Sequence, residues 1–181
     1  MKKLLLYFVG AAMMLGIVFW IIINPTSMPV QLERGPISKI DNFYFGPYPT
    51  DEEFIKLKQS GVQRIISLLD DRIFYEKVLL EKERDIAKRY KIEIVNYPMG
   101  SLFAKQLFTD YESVAKQAVD NAMVHQNKVT YIHCYLGKHR TQYVRNEILK
   151  RKGQVPEPMP FLSDSDKSKF QKAEDSSGSV K

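Results

Sequence analysis

One stretch of the sequence combines residue types that could attack a phosphate group. Cys134 is the only cysteine of the chain, and five residues separate it from Arg140. A loop that opens a helix aims its backbone N–H groups at one spot, where an anion is favoured and the sulfur is favoured as a thiolate. An arginine at the start of that helix stays charged and could grip two phosphoryl oxygens. The alternative is that Cys134 is a buried structural thiol and Arg140 a solvated residue.

The residues around this loop predict a strand before it and a helix after it. Residues 129–133 read as a buried strand and residues 141–152 as a helix. Gly137 suits a turn, or a close backbone approach, that a Cβ would obstruct. A strand, a cysteine, a glycine, an arginine, a threonine and a helix in one register are rare by chance, which favours a phosphate-binding loop over a structural thiol.

Residues 133–141 spell His-Cys-x-x-Gly-x-x-Arg-Thr, which resembles the signature of the cysteine-dependent protein tyrosine and dual-specificity phosphatases. The Gly-Lys-His-Arg-Thr run at 137–141 is similar to the atypical dual-specificity group of plants and fungi, which includes inositol pyrophosphate phosphatases. Gln142 stands where that group usually has glycine. The resemblance covers about residues 37–152 and implies a dual-specificity phosphatase-like fold.

The resemblance also implies a role for each residue of the loop. Cys134 would attack phosphorus, Arg140 would bind the phosphoryl oxygens, His133 would position the loop, and Thr141 would assist breakdown of the cysteinyl-phosphate. The other substrate-binding residues would be Tyr135, Leu136, Gly137, Lys138 and His139. The residues by themselves leave simpler interpretations open, since His133 could be a core histidine and Thr141 an ordinary helix-start residue. No cofactor and no metal ion is implied.

The position of a general acid is the weak point of this pattern. Such phosphatases usually carry the acid within the segment equivalent to residues 99–108, which contains no carboxylate here. Asp110 is the first one available, but Thr109 and Glu112 also fit a capping pair at a helix start. An enzyme without a placed acid is expected to favour phosphoanhydrides or aryl phosphates, whose leaving groups need little protonation.

The segments before the loop predict the rest of an α/β domain. Strands are expected over residues 39–45, 62–69 and 92–97, and helices over residues 51–60, 72–90 and 110–123. Thr50 and Glu53 form a capping box for the first of these helices. This order predicts a central, mostly parallel sheet flanked by helices.

Two further predictions concern the region after the second of these strands. Asp70 and Asp71 follow that strand, where a carboxylate could orient Arg140 or form a solvated turn. The helix over residues 72–90 is expected to expose its many Lys and Glu side chains. The residues predicted on or near its buried face are Phe74, Val78, Leu79 and Ile86.

The N-terminal region predicts a membrane anchor. Residues 4–23 carry no charge, and a helix of this length could cross a hydrocarbon core. The run is longer than the apolar region of a signal peptide and no small-x-small cleavage site is evident after it, which favours an uncleaved anchor over a cleaved signal. Lys2 and Lys3 abut the run, whereas Arg34 and Lys39 lie farther out on the other side. This favours an inside N-terminus and a catalytic domain outside the cytoplasm, which would be the periplasm if the source is a Gram-negative bacterium.

The remaining segments complete the predicted organisation: a linker over residues 24–36, with three prolines, a phosphatase domain over 37–152 and a disordered tail over 153–181. Related phosphatases continue with helices that cover the loop helix, so the burial of that face stays open. The net charge of +6 fits an anionic substrate, and no motif supports nucleic-acid binding. The expected substrate is a phosphorylated protein or an inositol phosphate. A catalytically silent phosphate-binding module and a membrane-anchored scaffold are the alternatives.

Overall fold

The computed structural model describes residues 2–100 and 110–158, and within the N-terminal helix the side chains of residues 7–21 and 23. In chain order the described elements are helix α1 (Lys2–Ile23), helix α2 (Met28–Glu33), strand β1 (Ser38–Ile40), strand β2 (Phe43–Pro47), helix α3 (Asp51–Gln59), strand β3 (Arg64–Ser67), helix α4 (Phe74–Arg89), strand β4 (Glu93–Asn96), helix α5 (Tyr111–Val124), strand β5 (Thr130–Cys134) and helix α6 (Arg140–Arg151).

The sheet has five described strands in the order β1-β2-β5-β3-β4. Strand β5 runs parallel to both of its neighbours, β2 and β3, and β4 is parallel to β3. Only β1 pairs antiparallel among these strands, at one edge. The predicted central, mostly parallel sheet flanked by helices is therefore confirmed.

The two faces of the sheet are covered by different helices, because successive side chains of a strand point to opposite faces. Ile66 and Ile132 pack with the apolar residues of α5 and α6. Ile65 and Tyr131, their neighbours in sequence, pack with those of α3 and α4. All five residues of β5 are buried as a result. The strand that carries Cys134 is thus held on both faces and at both edges.

The strand predicted over residues 39–45 is two strands joined by a tight turn. Asp41 adopts a positive φ of 48°, a conformation that aspartate tolerates better than most residues. The chain reverses there and β1 pairs back onto β2. The capping box predicted at the next helix is present, since Thr50 Oγ1 accepts from the Glu53 N–H at 3.3 Å and Glu53 Oε2 accepts from the Thr50 N–H at 2.7 Å.

Helix α4 differs from its prediction in which side chains it buries. Leu79 and Ile86 are buried as expected, but Phe74 is 70% exposed and Val78 37% exposed. A helix turns about 100° per residue, so position 74 lies about 130° and position 78 about 90° around the helix from the face that holds Leu79 and Ile86. The Phe74 ring instead stacks on Phe19 of α1, with 5.6 Å between ring centroids.

Two glutamates of α4 were expected on its solvated face and are fully buried. Glu76 and Glu83 each have 0% exposure. They are seven residues apart and lie on the same face as Leu79 and Ile86. Since a buried carboxylate without a partner is costly, their presence indicates specific polar partners inside the domain.

The predicted membrane span is not confirmed by the structure. In residues 2–100 and 110–158, no helix combines the length and the apolar character needed to cross a membrane.

The segment predicted as a linker contains the short helix α2 and packs against the domain. The start of the predicted tail is also in place, because Glu157 pairs with α6. Its carboxylate accepts from Arg145 Nε at 2.9 Å and its carbonyl from Asn146 Nδ2 at 2.8 Å. Residues 154–158 therefore cover part of the helix face whose burial the sequence left open. Residues 159–181 of the predicted tail lie outside the described residues.

Candidate active site

Cys134 ends the central strand of the sheet. The carboxyl ends of parallel strands form the edge at which α/β proteins bind ligands, and the Cys134 side chain is 3% exposed there. Thr141, in the first turn of α6, places its Oγ1 3.9 Å from the sulfur. Cys134, the predicted nucleophile, and Thr141, predicted to assist breakdown of the intermediate, therefore lie next to each other.

The loop after Cys134 turns two carbonyl groups outward. Tyr135 O accepts a hydrogen bond from the Tyr48 N–H at 3.2 Å, and Leu136 O accepts one from the Gly35 N–H at 2.8 Å. In a planar trans peptide the N–H points away from the C=O. The N–H groups of Leu136 and Gly137 therefore point to the opposite, inner side of the loop, as an anion-binding loop requires.

Gly137 meets both conditions that the sequence suggested for it. Its φ is +71°, which residues with a Cβ rarely adopt. A Cβ added to it would also lie 2.3 Å from Pro47 N and 2.4 Å from the Gly46 carbonyl carbon. The loop passes so close to the end of β2 that only glycine fits.

Arg140 is held by a bidentate ion pair with Glu76. Its Nη1 donates to Glu76 Oε2 at 2.7 Å and its Nη2 to Glu76 Oε1 at 2.6 Å. Nη1 also donates to the carbonyl oxygens of Leu68 (3.0 Å) and Met99 (2.8 Å). The Arg140 side chain is 8% exposed and that of Glu76 is 0% exposed. The guanidinium is therefore fixed in one orientation by three separate segments.

This arrangement leaves one side of the guanidinium for a ligand. A guanidinium has five N–H donors in a rigid fork. The pair formed by Nη1 and Nη2 faces Glu76, and within residues 2–100 and 110–158 no residue accepts a hydrogen bond from Nε–H. Nε–H and the second Nη2 hydrogen form the other edge of the fork, which matches two phosphoryl oxygens.

The charge of Arg140 is secured by the same contact. Burial alone lowers the pKa of Arg140, but the hydrogen bonds and the negative charge of Glu76 outweigh it and leave the pKa raised. The residue is a permanent cation at the mouth of the loop.

The carboxylate that orients Arg140 is Glu76, not Asp70 or Asp71. Asp70 is buried and accepts from Arg72 Nε at 2.7 Å and Nη2 at 2.8 Å. Burial raises the pKa of Asp70, but these bonds to Arg72 outweigh it and leave the pKa lowered. Asp71 is exposed. Glu76 was not predicted from the sequence, although its position on the buried face of α4 was a usable signal.

His133 is a core residue and also faces a buried carboxylate. It has 0% exposure and lies between the rings of Tyr131 and Tyr48, with centroid distances of 5.8 Å to each. Its Nε2 is 2.5 Å from Glu83 Oε1, an ion-pair distance without the alignment of a hydrogen bond. Glu83 was likewise not predicted from the sequence, although it also lies on the buried face of α4.

Lys138 and His139, the two cations expected near a substrate, differ in the structure. Lys138 Nζ lies 3.1 Å from Glu33 Oε2, at the end of α2. His139 is half-buried, and burial, followed by the charges of Lys138 and Arg140, lowers its pKa. This shift favours the uncharged form of His139 at neutral pH.

Asp110 occupies the N-cap of α5. Its carboxylate accepts from the backbone N–H groups of Glu112 at 3.1 Å and Ser113 at 3.2 Å, and the residue is exposed. The capping residue is thus Asp110, not Thr109, which lies outside the described residues together with the rest of 101–109. In the described structure the side chain of Asp110 serves the helix end.

No family model matches the sequence, and no curated protein matches it.

Several solved structures share the fold. The core catalytic domain of the PP-IP phosphatase SIW14 from S. cerevisiae, solved with citrate, is 18% identical over 67% of this chain and 69% of that chain, with a TM-score of 0.54. A DUF442 protein from Shewanella putrefaciens CN-32 is 17% identical over 73% of this chain and 79% of its own, with a TM-score of 0.53. Tk-PTP, in its active form, is 13% identical over 74% and 91% of the two chains, with a TM-score of 0.52.

These likenesses define the class of fold. At such identities they establish the architecture and not the substrate. The chain shares the fold of these solved phosphatase structures, which agrees with the fold that the resemblance at residues 133–141 implied.

We expect Glu76→Gln to destabilise the protein because it leaves the buried Arg140 without a compensating charge. Breaking a buried ion pair on one side costs about 3 kcal/mol. The free energy of unfolding from urea titration measures the effect. Glu81→Gln is the matched control, since Glu81 is exposed on the same helix. Equal stability of the two variants would contradict the importance assigned to the pair.

Proposed function

We propose that the protein is a phosphatase that acts through a cysteinyl-phosphate intermediate. The observation that carries the proposal is the position of the Cys134 sulfur at the end of β5, beside Thr141 and within a loop whose N–H groups turn inward. A thiolate there attacks phosphorus, forming an S–P bond as the bond between phosphorus and the leaving oxygen breaks. Water then attacks phosphorus, the S–P bond breaks, and inorganic phosphate and the thiolate are released.

The loop supplies the charge that this reaction needs. In the transition state, negative charge is spread over three equatorial oxygens of the transferring group. The inward N–H groups of Leu136 and Gly137 and the unshared edge of Arg140 are fixed before substrate arrives, which is the arrangement that stabilises developing charge most effectively. Thr141 Oγ1, 3.9 Å from the sulfur, is placed to donate to the thiolate when it departs from phosphorus.

We further propose that the substrate carries a good leaving group. Residues 99–108 contain no carboxylate, and Asp110 is engaged at the N-cap of α5. Without an acid, an alkyl oxygen such as an inositol hydroxyl leaves poorly, whereas phosphate and phenolate need little protonation. Phosphoanhydrides, including inositol pyrophosphates, and aryl phosphates such as phosphotyrosine fit this requirement. The likeness to a PP-IP phosphatase fold supports the same substrate class.

Cys134→Ser is expected to abolish turnover of an aryl phosphate while leaving the fold intact, because serine is nearly isosteric but not ionised at neutral pH. Arg140→Ala is expected to lose both rate and affinity for inorganic phosphate. Arg151→Ala, at the far end of α6, is the control and should keep wild-type kinetics. Wild-type turnover by Cys134→Ser would exclude the covalent mechanism.

The wild-type protein also separates the alternative functions. Phosphate binding without turnover would identify a silent phosphate-binding module, and a protein that neither binds nor turns over phosphate would be a scaffold.

The role of Asp110 is tested by rates across aryl phosphates of graded leaving-group pKa, in wild type and in Asp110→Asn. Asparagine caps a helix as well as aspartate, so the variant changes the acid without changing the helix end. We expect a steep dependence on leaving-group pKa that is the same in both proteins. A flat dependence in wild type that becomes steep in Asp110→Asn would identify Asp110 as the general acid.

We also propose that residues 4–23 attach the protein to a membrane, with the catalytic domain outside the cytoplasm. The absence of charge in this run supports the proposal. Large apolar side chains are also exposed around α1, including Phe8, Met14, Leu15 and Trp20. Exposed apolar side chains on one helix are unfavourable in water and favourable in lipid.

Full-length protein is expected to stay with membranes after carbonate washing, and protease added to intact spheroplasts should cleave the catalytic domain. A chain that begins at Val30 should be released into the soluble fraction. A mature form that starts shortly after Ile23 would indicate a cleaved signal, and protection of the catalytic domain from protease would reverse the orientation.

A further inference from the structure

The chain from the last residue of α2 to Pro36 contacts the outer side of the phosphate-binding loop. We call these residues, 33–36, the strap. The Gly35 N–H donates to Leu136 O at 2.8 Å, and Glu33 Oε2 lies 3.1 Å from Lys138 Nζ. A Cβ on Gly35 would lie 2.9 Å from Gly137 O and 3.1 Å from the Lys138 Cγ. The strap therefore packs on the loop with no space for a larger residue at position 35.

The strap is itself fixed to the domain by Arg34. The Arg34 side chain is 7% exposed, and its Nη2 donates to Tyr48 O at 3.1 Å and to Glu53 Oε2 at 2.5 Å. Burial raises the pKa of Glu53, but the Thr50 N–H and the Arg34 guanidinium outweigh it and leave the pKa lowered. Glu53 is thus a carboxylate that serves both the helix cap and the strap.

Tyr48 connects this anchor to the loop a second time. Its carbonyl accepts from Arg34, while its N–H donates to Tyr135 O at 3.2 Å. The outer carbonyls of two consecutive loop peptides, Tyr135–Leu136 and Leu136–Gly137, are therefore bound by residues that Arg34 joins.

From these contacts we infer that the strap is a positioning element for the phosphate-binding loop. The hydrogen bond from the Gly35 N–H holds Leu136 O on the outer side of the loop. The N–H of Gly137, in the same peptide, therefore points at the substrate phosphate. The inference rests on the proposed phosphatase function. If the Leu136–Gly137 peptide rotated, a carbonyl oxygen would face the phosphate in place of an N–H, and the interaction would turn from attractive to repulsive. Gly137, with its φ of +71°, resists such rotation less than other residues would, so an external contact is needed to keep one orientation.

The contacts of the strap also imply that the domain begins before residue 37, its predicted start. A domain that starts at Ile37 omits Gly35 and Arg34, and with them the support of the loop. The segment that leads from α1 is thus part of the site's framework.

Gly35→Ala in the full-length chain tests this inference, with orthovanadate as the probe of the loop. The added Cβ presses on Gly137 O and moves the strap away, so we expect the inhibition constant for orthovanadate to rise roughly 10–100-fold, less than the roughly 100–1,000-fold effect of losing a whole oxyanion donor. Hydrogen exchange at the amide of residue 35 should become faster. Gly16→Ala is the matched control, since a Cβ there meets nothing within 4 Å, and it should keep the wild-type constant.

Arg34→Met is the second variant, because it loosens the strap without adding an atom beside the loop. It should weaken orthovanadate inhibition in the same direction. Wild-type inhibition constants in both variants, with wild-type turnover, would overturn the inference and leave the proposed function standing. A wild-type protein that neither hydrolyses aryl phosphate nor binds orthovanadate would overturn both. Melting temperatures close to wild type separate a change in the loop from a loss of folding.

Discussion

The ion pair between Arg140 and Glu76 joins the parts of the chain that make the site. Arg140 opens the helix after the loop, Glu76 lies in the first turn of α4, and the carbonyl groups of Leu68 and Met99 complete the contact. Both side chains are buried, so each charge would be unstable without the other. The same contact fixes which edge of the guanidinium is left for a phosphate. The fold and the proposed substrate binding therefore depend on one interaction.

The loop itself is held from the outside. Strand β5 is central and fully buried, so the sulfur starts from a fixed position. Beyond it the loop passes between the end of β2, which Gly137 touches, and Gly35 of the strap. Outward carbonyls bound by Tyr48 and Gly35 leave the N–H groups pointing inward. An anion-binding loop is thus built by contacts on the face opposite the anion.

Helix α4 contributes two buried glutamates to the surroundings of the loop. Glu76 and Glu83, seven residues apart on α4, face Arg140 and His133 respectively. His133 directly precedes Cys134 and Arg140 follows the loop, so α4 supplies one carboxylate before the loop and one after it.

The sequence alone predicted the proposed chemistry and the class of fold. Cys134, Gly137, Arg140 and Thr141 are close in sequence, so local spacing was sufficient to predict that they lie in one loop. The order of strands and helices likewise follows from local hydrophobic periodicity. What pairs with Arg140 could not be read in that way, because Glu76 is 64 residues distant. Only tertiary packing decides whether a glutamate on a charged helix faces solvent or the core, and only the close approach of Gly35 to Leu136 shows that a segment predicted as a linker supports the loop.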